Sequence, residues 1–279
     1  MNRRKLILLS IAVMASIAPA MAQIPADAKL CQFYHYEKSV TAQCVEDGDT
    51  TYEENTVNLM WPVQLNGRDC SSLQQELINL ITGKDDIHQL DHAINYYLYT
   101  NTEGLPIDVE TSCKFLDGFN ADPSSFDVSR INSSSILIDL KNLSERFATI
   151  HIFNHIYFAG AAHGMYSDSY VTYDINLEKV VTIDDVVYNL EEILPAILES
   201  LMMTHENDEL YLTNGLPPLP STFYFEDGIL HVVYQPYEIS GFALGVIDVP
   251  VYSFLLGDEV NPSCFTPYGL ELMKGTTIQ

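Results

Sequence analysis

The reactive side chains of this sequence are its histidines and carboxylates. Two histidine pairs have a spacing of four, His88 with His92 and His151 with His155. A fifth histidine, His163, sits in the glycine-flanked stretch Gly160-Ala161-Ala162-His163-Gly164. Imidazole titrates near neutrality and is the commonest metal ligand, so each arrangement has a chemical reading. On a helix, two residues four apart share a face with Cβ atoms about 5–6 Å apart, which suits chelation. On a strand rising about 3.3 Å per residue the same pair stands roughly 13 Å apart, too far for one zinc ion held at about 2 Å from each nitrogen. His88 and His92 fall in the helical stretch "DDIHQLDHAINYYLY", turned away from Ile87, Leu90 and Ile94. They have no third ligand, so a solvated helix face outweighs a metal site. His151 and His155 fall in a strand and fail as a clamp. His163, with no nucleophile or ligand set beside it, suits a glycine turn between strands that it steadies by hydrogen bonding.

The carboxylates have two readings. "EDGDTTYEEN" (Glu46, Asp47, Asp49, Glu53, Glu54) and "DGFNADPSSFD" (Asp117, Asn120, Asp122, Asp127) are rich in hard oxygen ligands, but neither follows the spacing of a calcium-binding loop. Glycan hydrolysis needs two acids facing each other across about 5–9 Å. Glu238, inside Tyr237-Glu238-Ile239, is the best single candidate, because apolar neighbours raise a carboxyl pKa. The competing reading is a carboxylate that accepts backbone amides in a loop. Nucleophile-elbow, SxxK, HExxH and phosphate-loop signatures are absent, which counts against the commonest hydrolase classes. Tyrosine is abundant, 17 residues against one tryptophan. Tyr157, Tyr166 and Tyr237 stand at expected loop ends, where an apolar ring with a polar tip suits contact with a protein or a sugar.

These residues need a scaffold. "CQFYHYEKSVTAQC" and "TVNLMWPVQL" read as strands separated by the acidic loop 45–55. "CSSLQQELINLITG" reads as a helix with Leu73, Leu77, Leu80 and Ile81 inward and Gly83 as its stop, and residues 85–99 as a second helix. "DGFNADPSSFDVSRINSSS" has the composition of a lobe boundary, placed near residue 130. Beyond it, "SSILIDL", "RFATIHIFNHIYFAG" and "MYSDSYVTYDINL" are strands. Thr182 and Asp185 form a capping box. "NLEEILPAILESLMM" is a helix whose regular part begins near Pro195. A hairpin turns at Asp227-Gly228, and "GVIDVPVYSFLL" is a last strand. "GLPPLPS" is a stiff connector. The class is α+β, with antiparallel sheets, helices packed on them, and two lobes, 23–130 and 131–279.

Residues 1–22 have the order of a secretory leader: Arg3, Arg4 and Lys5, an apolar run, then Ala20-Met21-Ala22. No later run is long enough for a membrane span. Removing those three cations takes the formal charge from −25 to −28. So acidic a chain repels nucleic acid and anionic lipid and draws in cationic proteins. Five cysteines (31, 44, 70, 113 and 264) in an oxidising exterior predict disulfides, two at most with one residue left over. Their spacing leaves the pairing open and weakly favours Cys31–Cys44, which flank one strand.

The C-terminal half resembles a known family. Gly160-Ala161-Ala162-His163, Thr182-Ile183-Asp184-Asp185 and Tyr237-Glu238-Ile239 stand in the order found in the extracytoplasmic domain of unknown function shared by the lysozyme-sensing anti-sigma factor RsiV and the deacetylase PdaC. Ala161 replaces the motif's second glycine. The resemblance covers about residues 131–256, and the first lobe is similar, more faintly, to the companion domain. It implies an α+β fold and an exported module, periplasmic or extracellular. The expectation is a non-enzymatic binding module of the cell envelope that needs no cofactor. Its ligand would be a lysozyme-like cationic protein or cell-wall glycan, with Tyr157, His163, Tyr166, Tyr237 and Glu238 as candidate contacts. The alternatives are a hydrolase or deacetylase-type enzyme acting on envelope polysaccharide through acidic residues, and a structural scaffold.

Overall fold

The structure, a computed structural model, describes residues 5–9, 31–46, 48–107, 112–116, 128–205, 210–226, 229–256 and 258–264. The fold is α+β, as expected. The long strands form a sheet in the order β1 (Lys5–Leu9), β2 (Cys31–Glu46), β3 (Asp49–Gln64), β5 (Ile131–Leu143), β6 (Phe147–Tyr157), β7 (Met165–Asp174), β8 (Lys179–Val180), with β4 (Cys113–Phe115) also on β2. A second sheet orders β11 (Ile247–Val251), β10 (Ile229–Tyr234) and β9 (Thr222–Glu226). Pairing is mostly antiparallel, and β3 with β5 is a parallel exception. Of the expected leader, residues 1–4 and 10–22 lie outside the described residues, and Lys5–Leu9 pair with β2.

The chain divides into two compact units. The first holds residues 1–139, 157–162 and 174–179, the second 140–156, 163–173 and 180–279. In the first, β3 alternates buried Val57, Leu59 and Trp61 with half-exposed neighbours, as a strand covered on one face must. Helices α1 (Ser71–Thr82) and α2 (Leu90–Leu98) bury Leu73, Leu77, Ile94 and Leu98. Gly83 ends α1 at φ 62°, a left-handed cap that glycine adopts without strain. In the second unit, α4 (Leu194–Met202) covers β11, and Ile197 and Leu201 join Phe225, Leu230, Val232, Ile247 and Val249 in one core. The Thr182–Asp185 capping box opens α3 (Ile183–Val186), and Pro195 lies in the first turn of α4.

Several expectations need correction. The acidic stretch 45–55 is mostly strand, because β2 and β3 run on to Glu46 and Asp49 as one hairpin. Two of its polar residues, Glu53 and Asn55, are buried rather than solvated. Buried Asn55 donates to the carbonyls of Leu98 and Thr100 at 3.0 and 2.6 Å and accepts from Ser134 at 2.7 Å. Buried Glu53 accepts from Asn132 and Thr102. Leu80 is exposed, because the buried stripe of α1 centres between Leu77 and Ile81 and takes in Ile78. α2 starts at Leu90, since Gln75 binds the Ile87 carbonyl and the His88 ring and holds that segment outside the helix. His88 and His92 therefore do not share a helix face. In "YSFLL" the strand ends at Val251 and Ser253–Leu256 form a helical turn, α5. Cys44 pairs with Cys113 across β2 and β4. The favoured Cys31–Cys44 bridge cannot form: both residues lie on the one strand β2, and thirteen extended steps hold them about 43 Å apart.

Candidate functional site

Strand β10 ends at Tyr234, and the next four residues form a braced turn. Gln235 Nε2 donates to the Asp168 carbonyl at 2.7 Å while its Oε1 accepts the Asp168 amide at 2.9 Å, so one side chain imitates a strand neighbour for β7. Glu238 Oε2 accepts the Gln235 amide at 2.7 Å, and the Glu238 amide donates to the Gln235 carbonyl. The carboxylate is thus the loop brace. Between them Tyr237 is held at φ 72°, a left-handed conformation that costs a side-chain-bearing residue roughly 1–3 kcal/mol. Tyr237 is 61% exposed.

The chain then enters a short 3-10 turn, Phe242–Leu244, and Phe242 becomes the centre of an aromatic cluster. His163 stacks on its ring at 4.1 Å, Tyr166 meets it edge-on at 5.6 Å, and Tyr237 lies tilted at 5.5 Å. Phe153 backs Tyr166 at 6.1 Å. His163 Nδ1 donates to the Gly164 carbonyl at 2.9 Å, which leaves its ring face free to stack. The glycines of the His163 stretch have separate reasons. Gly160 sits at φ 80°, and a Cβ at Gly164 would collide with the His155 imidazole. Gly245, at φ 69°, lets the Tyr166 hydroxyl approach. His163 and Tyr237 are exposed and Tyr166 and Phe242 half-buried, so the cluster forms a solvent-accessible aromatic platform. Three of the five sequence candidates, His163, Tyr166 and Tyr237, converge here. Glu238 braces the loop beneath them. Tyr157 stands apart, donating to the Ala161 carbonyl at 3.2 Å.

A second constellation was not foreseen from the sequence. On the face of β9–β10–β11 opposite the helix-covered core, Tyr224 and His231 are cross-strand partners stacked at 4.5 Å. The stack continues from Tyr224 to Tyr170 at 4.3 Å and from Tyr170 to His151 at 4.9 Å. A carboxylate holds each end: Asp168 accepts from His151 Nε2, while Asp248 accepts from His231 Nδ1 at 2.8 Å and from the Tyr224 hydroxyl. Burial by itself would raise the Asp248 carboxyl. The hydrogen bonds from His231 and Tyr224, with the charges of His231 and Lys141, outweigh it and hold the group below the ordinary aspartate value. Burial, then the neighbouring carboxylates, push the Tyr170 hydroxyl upward, and burial with the Asp248 hydrogen bond does the same for Tyr224. The signal available in sequence was strand alternation: His151 lies between buried Ile150 and Ile152, and Asp248 between Ile247 and Val249.

Among the described residues no three His, Cys, Asp or Glu side chains gather as a metal site, and no helix is long and apolar enough to cross a membrane. Asp47 and the calcium candidates Asp117, Asn120, Asp122 and Asp127 lie outside the described residues.

No family profile and no curated protein matches the chain. Its fold is shared with crystal structures. A DUF3298 family member from Bacteroides fragilis superposes with a TM-score of 0.58 at 18% identity, over 83% of this chain and 96% of that one. A DUF3298 family protein from Pseudomonas aeruginosa superposes with a TM-score of 0.51 at 12% identity, over 83% and 96%. At those identities the likeness is one of fold alone.

Proposed function

We propose that the chain is an exported, non-enzymatic binding module of the cell envelope, related to the extracytoplasmic domain of RsiV and PdaC, whose ligand docks on the Phe242 platform. One observation carries this reading: the two motif loops, around His163 and around Tyr237, meet ring to ring at Phe242 instead of being buried separately. An open aromatic face on a strained loop supplies rigid contact area with little side-chain entropy to lose. The ligand is a cationic protein of the lysozyme kind. With a formal charge of −25, the chain speeds encounter with such a partner at low salt, while the rings set the contact. Glu238, committed to the Gln235 amide, serves the loop rather than chemistry. The Cys44–Cys113 disulfide fits an oxidising exterior.

The test is calorimetric titration of the protein with lysozyme at low and moderate salt. Binding that weakens with salt and falls at least tenfold in Phe242→Ala is the expected result. Absence of binding at either salt concentration removes the lysozyme version, and retention of purified cell-wall glycan would then identify the platform's ligand as sugar.

The two Asp–His pairs favour a second reading, an enzyme acting on envelope polysaccharide through Asp168 or Asp248. It predicts altered muropeptide profiles after incubation with cell wall, abolished in Asp248→Asn. A scaffold predicts neither binding nor turnover.

A further inference from the structure

Besides the Cys44–Cys113 bridge, the described cysteines Cys31, Cys70 and Cys264 carry no disulfide, and all three are buried. Two of them belong to one small region of the first unit. Cys31 opens β2, and its sulfur accepts the Asn66 amide at 3.3 Å and donates to the Asn66 side chain at 3.4 Å. Asn66 (φ 51°) and Gly67 (φ 75°) form a tight turn closed by paired hydrogen bonds between Leu65 and Arg68. That turn folds the chain back, and Cys70 follows two residues later. Gln74 Nε2 reaches both the Pro62 carbonyl at 2.8 Å and the Cys70 sulfur at 3.8 Å. Pro62 is the strand partner of Phe33, two residues from Cys31. Both thiols thus lie against residues 62–66, the end of β3 and the start of the turn that follows it, Cys31 4% and Cys70 0% exposed.

We infer that Cys31 and Cys70 close a second disulfide when the chain folds in an oxidising medium. The step needs a disulfide oxidant of low molecular weight or of the thiol-oxidoreductase class. One of the two thiolates attacks the oxidant's disulfide and releases one of its thiols. The other thiolate then attacks the mixed disulfide and releases the second. Two thiols lose two protons and two electrons, and the oxidant becomes a dithiol or two thiols. In the folded chain both thiols are buried, and burial, then the charges of Asp69 and Cys31, push the Cys70 thiol up to about 12, which suppresses its reactive thiolate. Exchange must therefore precede closure of the core. The bridge would tie the start of β2 to the entry of α1. It would leave Cys264 as the odd residue that five cysteines require.

The experiment is to fold the reduced full chain in a buffer of reduced and oxidised glutathione, denature it without reductant, alkylate, digest and identify labelled and cross-linked peptides by mass spectrometry. The Cys44–Cys113 peptide reports that oxidation was effective. The expected result is a Cys31–Cys70 cross-linked peptide with label on Cys264 alone. Label on Cys31 and Cys70 in material that contains the Cys44–Cys113 peptide overturns the inference, as does either residue cross-linked to Cys264.

Discussion

At the scale of the residue, the polar groups buried away from water are the sharpest test of the structure. Asn55 satisfies two carbonyls and one hydroxyl at once, so Asn55→Ala strands three partners. A destabilisation of about 2–3 kcal/mol is expected in urea unfolding. Asp248 makes a pH prediction. Its folded pKa is depressed, so its contribution is fully present above the unfolded value near ~3.9 and is lost as pH falls through the lower folded value. Asp248→Asn should therefore flatten the acid limb of the stability curve below about pH 4. Its cost at neutral pH should be about 1 kcal/mol, limited because a third of the side chain is open to solvent. The alkaline limb has the opposite sign. Tyr170, Tyr224 and Tyr234 are pushed up by burial, so the stability they give is complete below ~10 and declines above it. An acid midpoint unmoved in Asp248→Asn would count against the Asp248–His231–Tyr224 cluster.

At the scale of the element, local signals should have local energies. Thr182 and Asp185 close a reciprocal cap, with the Thr182 amide donating to Asp185 at 2.9 Å, and Thr182→Ala should cost about 1 kcal/mol in thermal unfolding. Gly164→Ala should cost a similar amount, about 1 kcal/mol, since the His155 ring can swing aside from the new methyl. The Thr182 cap, the Gly83 stop and the Pro195 start were legible in the sequence because each depends on neighbours within a turn. Strands β2, β6 and β7 were legible from alternation. What could not be read depended on distant partners. Glu53 and Asn55 looked like loop residues because Asn132, Ser134 and the end of α2 supply their bonds. Each Asp–His pair is separated by 17 residues and faces across strands whose register the sequence does not state. The Phe242 cluster was half visible: His163, Tyr166 and Tyr237 were candidates, but Phe242 itself looked like another apolar residue of "SGFALGV".

At the scale of the whole molecule, covalent linkage and charge act on the chain as a unit. The Cys44–Cys113 bridge spans 69 residues of sequence and fastens β4 to the outer end of the β2–β3 hairpin. Closing a loop of that length removes denatured-state entropy worth about 4 kcal/mol, the upper figure before any native strain is subtracted. Replacing both cysteines by serine should lower stability by about 2–4 kcal/mol in chemical denaturation without reductant. The loss should come from the first unit. The aromatic cluster at Phe242 and the α4-covered core belong to the second, and among the described residues no disulfide joins them to the first. Hydrogen exchange should then show β2–β3 amides losing protection in Cys44→Ser/Cys113→Ser while those of β10 and β11 keep theirs. Uniform loss across both sets would mean that the two units unfold as one, and that the bridge stabilises the site indirectly.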